Sequence, residues 1–291
     1  MAFNTKLNNA YTLRVSCPAV TGIVAAISGF LADRKFYISE MSQYDSEESQ
    51  RFFARIVFQG GTEPPQDDLA VLKGFDVVAK DFDIHWSVRR ADRARRVLLM
   101  VSKFDHCLRD LLYRWEVGEL NIDPVAIVSN HETLRNIAER YNVPFHYLPV
   151  TADSKARQED ALRALIKETN AEVIVLARYM QILSDSIARE LHGNCINIHH
   201  SFLPSFKGGS PYVQAFSRGV KLIGATAHFV TGDLDEGPII EQDVQRIDHR
   251  FSASEMQAIG RDVECRVLAR ALRAHVEDRV FLDGSKAIVF A

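Results

Sequence analysis

Two stretches hold the side chains best suited to chemistry. One is Asn197-Ile198-His199-His200-Ser201-Phe202-Leu203-Pro204-Ser205 and the other Asp233-Leu234-Asp235-Glu236-Gly237-Pro238. The Asn197 amide can hold an oxygen that becomes negative as a carbonyl is attacked. Histidine is the side chain whose ordinary charge change falls near neutrality, so His199 can move a proton to or from a reacting centre. The Asp235 carboxylate can orient that imidazole or a water. Together the three suit acyl-type transfer without a metal. Such residues near turns also commonly just cap backbone groups. A metal reading would draw on His199, His200, His228 and Asp235, but no HExxH or other tight ligand spacing is present.

These groups need elements to present them. Cys195-Ile196-Asn197-Ile198-His199 alternates apolar and polar, the mark of a strand. Residues two apart share a strand face, so Asn197 and His199 project together while Ile196 and Ile198 enter the sheet packing. His199 and His200, being adjacent, are expected to point oppositely. Pro204 forbids a continuing central strand, so the pair sits where a strand gives way to a loop. Open α/β sheets place active sites there, outside the carboxyl ends of strands. His228, in Ala225-Thr226-Ala227-His228-Phe229-Val230, reads more readily as a core histidine than as a participant. The turn Ser102-Lys103-Phe104-Asp105-His106-Cys107 contains no glycine, which argues against a phosphate cradle after the first strand of its domain. Leu176-Ala177-Arg178-Tyr179-Met180-Gln181-Ile182-Leu183 leaves a strand with apolar side chains and exposed backbone that could receive a flat ring.

Around these segments the chain changes grammar once. Strand-like runs at 11–16, 36–43, 52–58 and 83–88, with helical spacing at 23–32 and 69–81, give the order β-α-β-β-α-β of a ferredoxin-like domain. In the second strand Tyr37, Ser39, Met41 and Gln43 are expected to face away from Phe36, Ile38 and Glu40. Residues 89–96, nearly all charged, read as a solvated linker. The apolar run 97–101 then opens an alternation of strands (125–128, 145–150, 173–177, 195–199) and helices (107–115, 133–141, 155–168, 185–191). That alternation predicts a Rossmann-like doubly wound, mostly parallel sheet. A helix at 212–218, strands at 226–230 and 239–247, a long helix at 253–276 and a hairpin around 283–284 complete the chain. The expected domains are thus 1–88 and 97–291, joined by 89–96.

Composition narrows the function classes. A net charge of -3 over 291 residues gives no basic field for nucleic acid or anionic membrane. Four scattered cysteines without a CxxC pair fit free thiols in a reducing compartment. No run approaches a membrane span, and the start Met-Ala-Phe-Asn-Thr-Lys lacks a signal-peptide core, so the cytoplasm is the expected location.

The motifs Asn197-Ile198-His199…Ser201-Phe202-Leu203-Pro204-Ser205-Phe206-Lys207-Gly208, Thr226-Ala227-His228-Phe229-Val230 and Asp235-Glu236-Gly237-Pro238-Ile239-Ile240 resemble the folate-dependent formyltransferases. Within them, Met100-Val101-Ser102-Lys103-Phe104-Asp105-His106-Cys107-Leu108 and Ala177-Arg178-Tyr179-Met180-Gln181-Ile182-Leu183 are similar to the formyltetrahydrofolate deformylase family. Ser16-Cys17-Pro18 and Gly22-Ile23-Val24 make the N-terminal region look like an ACT domain, although Ala19-Val20-Thr21 depart from the usual Asp-Arg-Pro before the glycine. The resemblance implies hydrolysis of 10-formyltetrahydrofolate to tetrahydrofolate and formate, which supplies formate for purine synthesis. It implies catalytic roles for Asn197, His199 and Asp235, with Met180, Gln181, Ile182, Leu183 and Val230 lining the pterin site. It further implies no cofactor or metal, a homo-oligomer, and glycine or methionine as effector at the ACT domain. Relatives that formylate a phosphoribosyl amine carry a glycine-rich phosphate loop at 102–107, so its absence favours water as acceptor. A formyltransferase with an amine acceptor and a non-catalytic amino-acid sensor are the rival readings.

Overall fold

A computed structural model describes residues 9–60, 68–151, 154–203 and 211–291, with Pro211 known by its backbone alone. The expected Pro64-Pro65 loop and Pro204, Ser205, Phe206, Lys207 and Gly208 of the motif lie outside the described residues. The chain divides into two compact units. The first comprises 1–93, 277–284 and 289–291; the second comprises 94–276 and 285–288.

The first unit follows the β-α-β-β-α-β order. It contains β1 (Ala10–Pro18), α1 (Ile23–Asp33), β2 (Tyr37–Ser46), β3 (Arg51–Gln59), α2 (Phe75–Asp81) and β4 (His85–Arg90). The strands form an antiparallel sheet in the order β2-β3-β1-β4. Leu13, Val15, Ala54, Ile56 and Phe58 meet Ile23, Ile27, Phe30 and Leu31 of α1 and Phe75 of α2 in one core. Each large side chain so buried contributes about 1.5–3 kcal/mol. The expected helix over 69–81 divides at Gly74, whose φ of 89° separates a 3₁₀ turn (Asp68–Leu72) from α2. β2 departs from simple alternation. The ladder pairs Ile38 with Phe58 and then Glu40 with Val57, so Ser39 is an extra, bulged residue. The bulge shifts the phase by one, and Met41 rather than Glu40 joins Ile38 against the core.

The boundary between the units, at 93/94, falls inside the expected linker 89–96, but only 91–94 lie outside strands. Arg89 and Arg90 end β4, and Arg95 and Arg96 begin β5. Arg89 pairs with Asp278 at 3.2 Å, Arg90 with Asp92 at 2.7 Å and Arg95 with Glu172 at 2.8 Å. Charge alone does not mark a tether when acidic partners from distant sequence neutralise it. Nor does the second unit keep the whole C-terminus: segment 277–284 packs on the first unit's sheet, where Phe281 meets Phe53 edge-on at 5.9 Å.

The second unit alternates strands and helices as expected. It runs β5 (Arg95–Val101), α3 (His106–Glu116), β6 (Ile122–Ser129), α4 (Arg135–Arg140), β7 (Phe145–Tyr147) and α5 (Lys155–Thr169). β8 (Val173–Leu176), α6 (Asp185–Glu190), β9 (Cys195–His199), α7 (Pro211–Arg218), β10 (Leu222–Phe229), β11 (Ile239–Arg246) and α8 (Ala253–Val276) follow. The strand order is β11-β10-β9-β8-β5-β6-β7. The pairs β7–β6, β6–β5, β5–β8 and β8–β9 are parallel; β9–β10 and β10–β11 are antiparallel. From β5 the chain builds outward to β7, then returns to the other side of β5 with β8. The topological switch point, the crevice such sheets use for ligands, therefore lies between β5 and β8. β12 (Val280–Asp283) and β13 (Lys286–Val289) form the expected terminal hairpin.

Candidate active site

β9 carries Asn197 and His199 on one face while Ile196 and Ile198 are buried in the sheet, as its alternation requires. Antiparallel pairing sets His228 of β10 directly opposite Asn197, and the two side chains meet at 3.2 Å between Nδ2 and Nε2. His228 is 2% exposed, with Nδ1 2.9 Å from the Phe229 carbonyl oxygen. Only a protonated Nδ1 can donate to a carbonyl, so Nε2 accepts from the Asn197 amide in the neutral ring and donates to Asp235 in the protonated one. This turns the amide and leaves its second N–H for a ligand. His228 is buried as a core histidine is expected to be, and it also touches Asn197 and Asp235. β10 is buried on both faces and shows no alternation, so only the register across two strands reveals this role.

Asp235 comes from the loop after β10. Its Oδ1 lies 3.3 Å from Nδ1 of His199 and 3.6 Å from Nε2 of His228. The backbone there is unusual. Asp235 itself has φ 58°, a left-handed conformation that costs a non-glycine residue of order 1–2 kcal/mol. Two residues on, a Cβ at Gly237 would fall 1.7 Å from the Phe229 oxygen, the oxygen that accepts from His228. Only glycine allows this approach. The hydrogen bonds from His199 and then His228 hold the Asp235 carboxyl well below the usual carboxylate range, against an opposing contribution from burial.

His199 and His200 do not diverge. The strand ends at His199, the backbone bends at His200, and the two rings stack with centroids 4.9 Å apart. Burial, reinforced by Arg178 and His199, pushes the His200 imidazole down to about 4, so this ring is neutral at physiological pH. The loop beyond is tied back by Thr226, whose Oγ1 donates to the Ser201 carbonyl at 3.0 Å and accepts from the Leu203 N–H at 3.1 Å.

The expected ring-binding residues divide. Met180 and Ile182 are exposed, Gln181 is half-buried, Leu183 packs into the core of the parallel sheet, and Val230 lies against that core. The Ser102 hydroxyl donates to Asn130 at 2.7 Å and accepts from the Met180 N–H at 3.0 Å. Lys103 is exposed.

The family model for formyl transferases matches residues 95–272. A formyltetrahydrofolate deformylase of Corynebacterium sp. (strain P-1) is 49% identical over 279 residues, 96% of this chain and 97% of that relative. The chain belongs to the formyltetrahydrofolate deformylase family. The crystal structure of the deformylase from Burkholderia mallei superposes with a TM-score of 0.93 at 47% identity, over 98% of this chain and all of that one. A glycinamide ribonucleotide transformylase of Symbiobacterium toebii reaches a TM-score of 0.64 at 25% identity over 68% of this chain and 95% of its own. The deformylases therefore match nearly the whole chain, whereas that formyl transferase matches about two thirds of it.

Among the described residues, one group has the proximity needed for a metal: His106, Cys107 and Glu264, their ligand atoms within 4.8 Å of one another. The Arg178 guanidinium stands 3.4 Å from the same carboxylate, and the buried Cys107 thiol is held protonated by its hydrogen bond to Cys265 and by burial. A cation beside the ligands and a protonated thiol both oppose a metal. No helix among the described residues is long and apolar enough to cross a membrane.

Proposed function

We propose that this chain hydrolyses 10-formyltetrahydrofolate to tetrahydrofolate and formate, through Asn197, His199 and Asp235. The observation that carries the reading is the convergence of one Asp235 oxygen on both His199 and His228, with Asn197 turned by His228. A carboxyl held as low as that of Asp235 is a poor proton acceptor. Asp235 therefore orients His199 and stabilises its imidazolium, and His199 carries the proton. His199 takes a proton from water as the water oxygen bonds to the formyl carbon. The carbonyl electron pair moves onto oxygen, where the Asn197 N–H holds it. The electron pair then returns, the bond from carbon to N10 breaks, and His199 gives its proton to N10. These steps call on no Lewis acid, and chelators are expected to leave the rate of formate release unchanged. Met180, Gln181, Ile182, Leu183 and Val230 form the pterin wall: Leu183 anchors the segment in the core while Met180 and Ile182 offer apolar surface.

The N-terminal unit serves as an ACT domain for oligomerisation and for an amino-acid effector, glycine or methionine. Its βαββαβ order and antiparallel sheet support this. Sedimentation is expected to show an oligomer, and the effector to change the formate rate; a monomer indifferent to both amino acids refutes it. The hydrolytic reading is tested by formate release from 10-formyltetrahydrofolate with and without an amine acceptor. Release without acceptor, lost about 10²–10⁴-fold in His199→Ala, supports it; an unchanged rate in that variant overturns the assignment.

A further inference from the structure

The segment between β8 and α6 contains no helix or strand of its own, yet it is pinned at both ends. At its start the Ala177 N–H donates to the Met100 carbonyl of β5 at 2.8 Å. Three residues on, the Met180 N–H donates to the Ser102 hydroxyl at 3.0 Å, and that hydroxyl donates to Oδ1 of Asn130 at 2.7 Å. Ser102 and Asn130 directly follow β5 and β6, and both are buried. At the far end both carboxyl oxygens of Glu159 accept from Ser184, Oε1 from its N–H at 2.8 Å and Oε2 from its hydroxyl. Glu159 and its neighbour Gln158 belong to α5 and are buried, and Nε2 of Gln158 donates to the Tyr179 hydroxyl at 3.2 Å. Tyr179 and Leu183 fill the core beneath, so Met180 and Ile182 between them stay 52% and 61% exposed. An irregular strap held by apolar contacts alone would sample many shapes and fold those two side chains down. Burying a serine hydroxyl and a glutamate carboxyl is costly unless hydrogen bonds compensate, and here the compensating bonds go to the two ends of the strap.

We propose that Ser102, backed by Asn130, and Glu159 are positioning residues that hold this strap in its receiving shape, so that the folate meets Met180 and Ile182 already presented. The proposal rests on the reading of 180–183 as part of the pterin wall. Ser102 and Glu159 act through the strap and not at the formyl carbon. Their contribution is therefore to affinity rather than to the chemical step, since a wall ordered in advance removes the cost of ordering it on binding.

Tetrahydrofolate, the folate product of the proposed reaction, is the binding probe, titrated calorimetrically into the full chain beside kcat and KM for formate release. Ser102→Ala and Glu159→Ala are each expected to weaken tetrahydrofolate binding and raise KM by about tenfold, while kcat changes by less than about threefold. Glu159→Gln, whose amide can still pair with Ser184, is expected to stay within about threefold of the parent in KM. Because both clamps hold one strap, the double alanine variant should lose less than the product of the single losses. Parental KM and affinity in both single alanine variants, or a fall in kcat at parental KM, overturns the proposal. If Glu159→Ala shows no cooperative unfolding, Ser102→Ala alone decides, since it removes a single oxygen. Met180→Ala tells two failures apart. Parental tetrahydrofolate binding there as well overturns the pterin wall itself, whereas weakened binding there beside parental clamp variants overturns only the positioning role.

Discussion

Gly237→Ala is a one-methyl perturbation whose consequence follows from geometry. The added Cβ would sit 1.7 Å from the Phe229 carbonyl oxygen, whereas real Cβ atoms keep at least 3.0 Å, and it would lie 3.3 Å from Nδ1 of His228. The loop must therefore move out by more than an ångström. The Phe229 N–H, which donates to the Pro238 carbonyl at 2.9 Å, loses that partner or drags β10 along. Asp235 is two residues away, and its contacts with His199 and His228, at 3.3 and 3.6 Å, leave no slack. A displacement of about 1 Å in a positioned catalytic group costs on the order of 10²-fold in rate. Initial rates of formate release should show kcat reduced by about that factor. Gly29→Ala serves as control: its Cβ meets nothing within 4 Å inside α1, so stability should hold or rise by about 0.5–1 kcal/mol with full activity. A Gly237→Ala enzyme with parental kcat would refute the placement of Asp235 by this close approach.

Asn197→Ala should lower kcat by roughly 10²–10³-fold, while His228→Phe, which leaves the amide in place but unoriented, should lose less; a smaller but clear loss in stopped-time formate assays would support the relay, and a parental His228→Phe would dismiss it. His200 offers a pH test. Its imidazole sits at about 4 against an ordinary 6.5, so between those values the unfolded chain binds a proton that the native state does not. Stability should fall as pH drops from about 6.5 to about 4, and His200→Gln should flatten that slope in urea titrations; an unchanged slope counts against a neutral, stacked His200.

Periodicity and punctuation made much of the fold legible. The alternation in 195–199 marked β9, and the glycine-poor turn marked the β5–α3 junction, because both depend on neighbours in sequence. Asn197 and His199 share a face for the same local reason. Other features required the folded chain. His228 joins Asn197 only through the register of β10 on β9, which no single segment encodes. The bulge at Ser39 reversed the facing of Met41, and a bend after β9 brought His200 onto His199. The arginines of 89–96 read as a tether because their partners, Asp278 and Glu172, lie far along the chain. Glu159, unremarkable within α5, acquires meaning only where that helix meets the segment leaving β8. Local sequence determined which elements form and which polar groups they could present, since propensity and alternation act over a few residues. Tertiary structure decided which of those groups meet, since burial and charge pairing act between elements whose positions no short window contains.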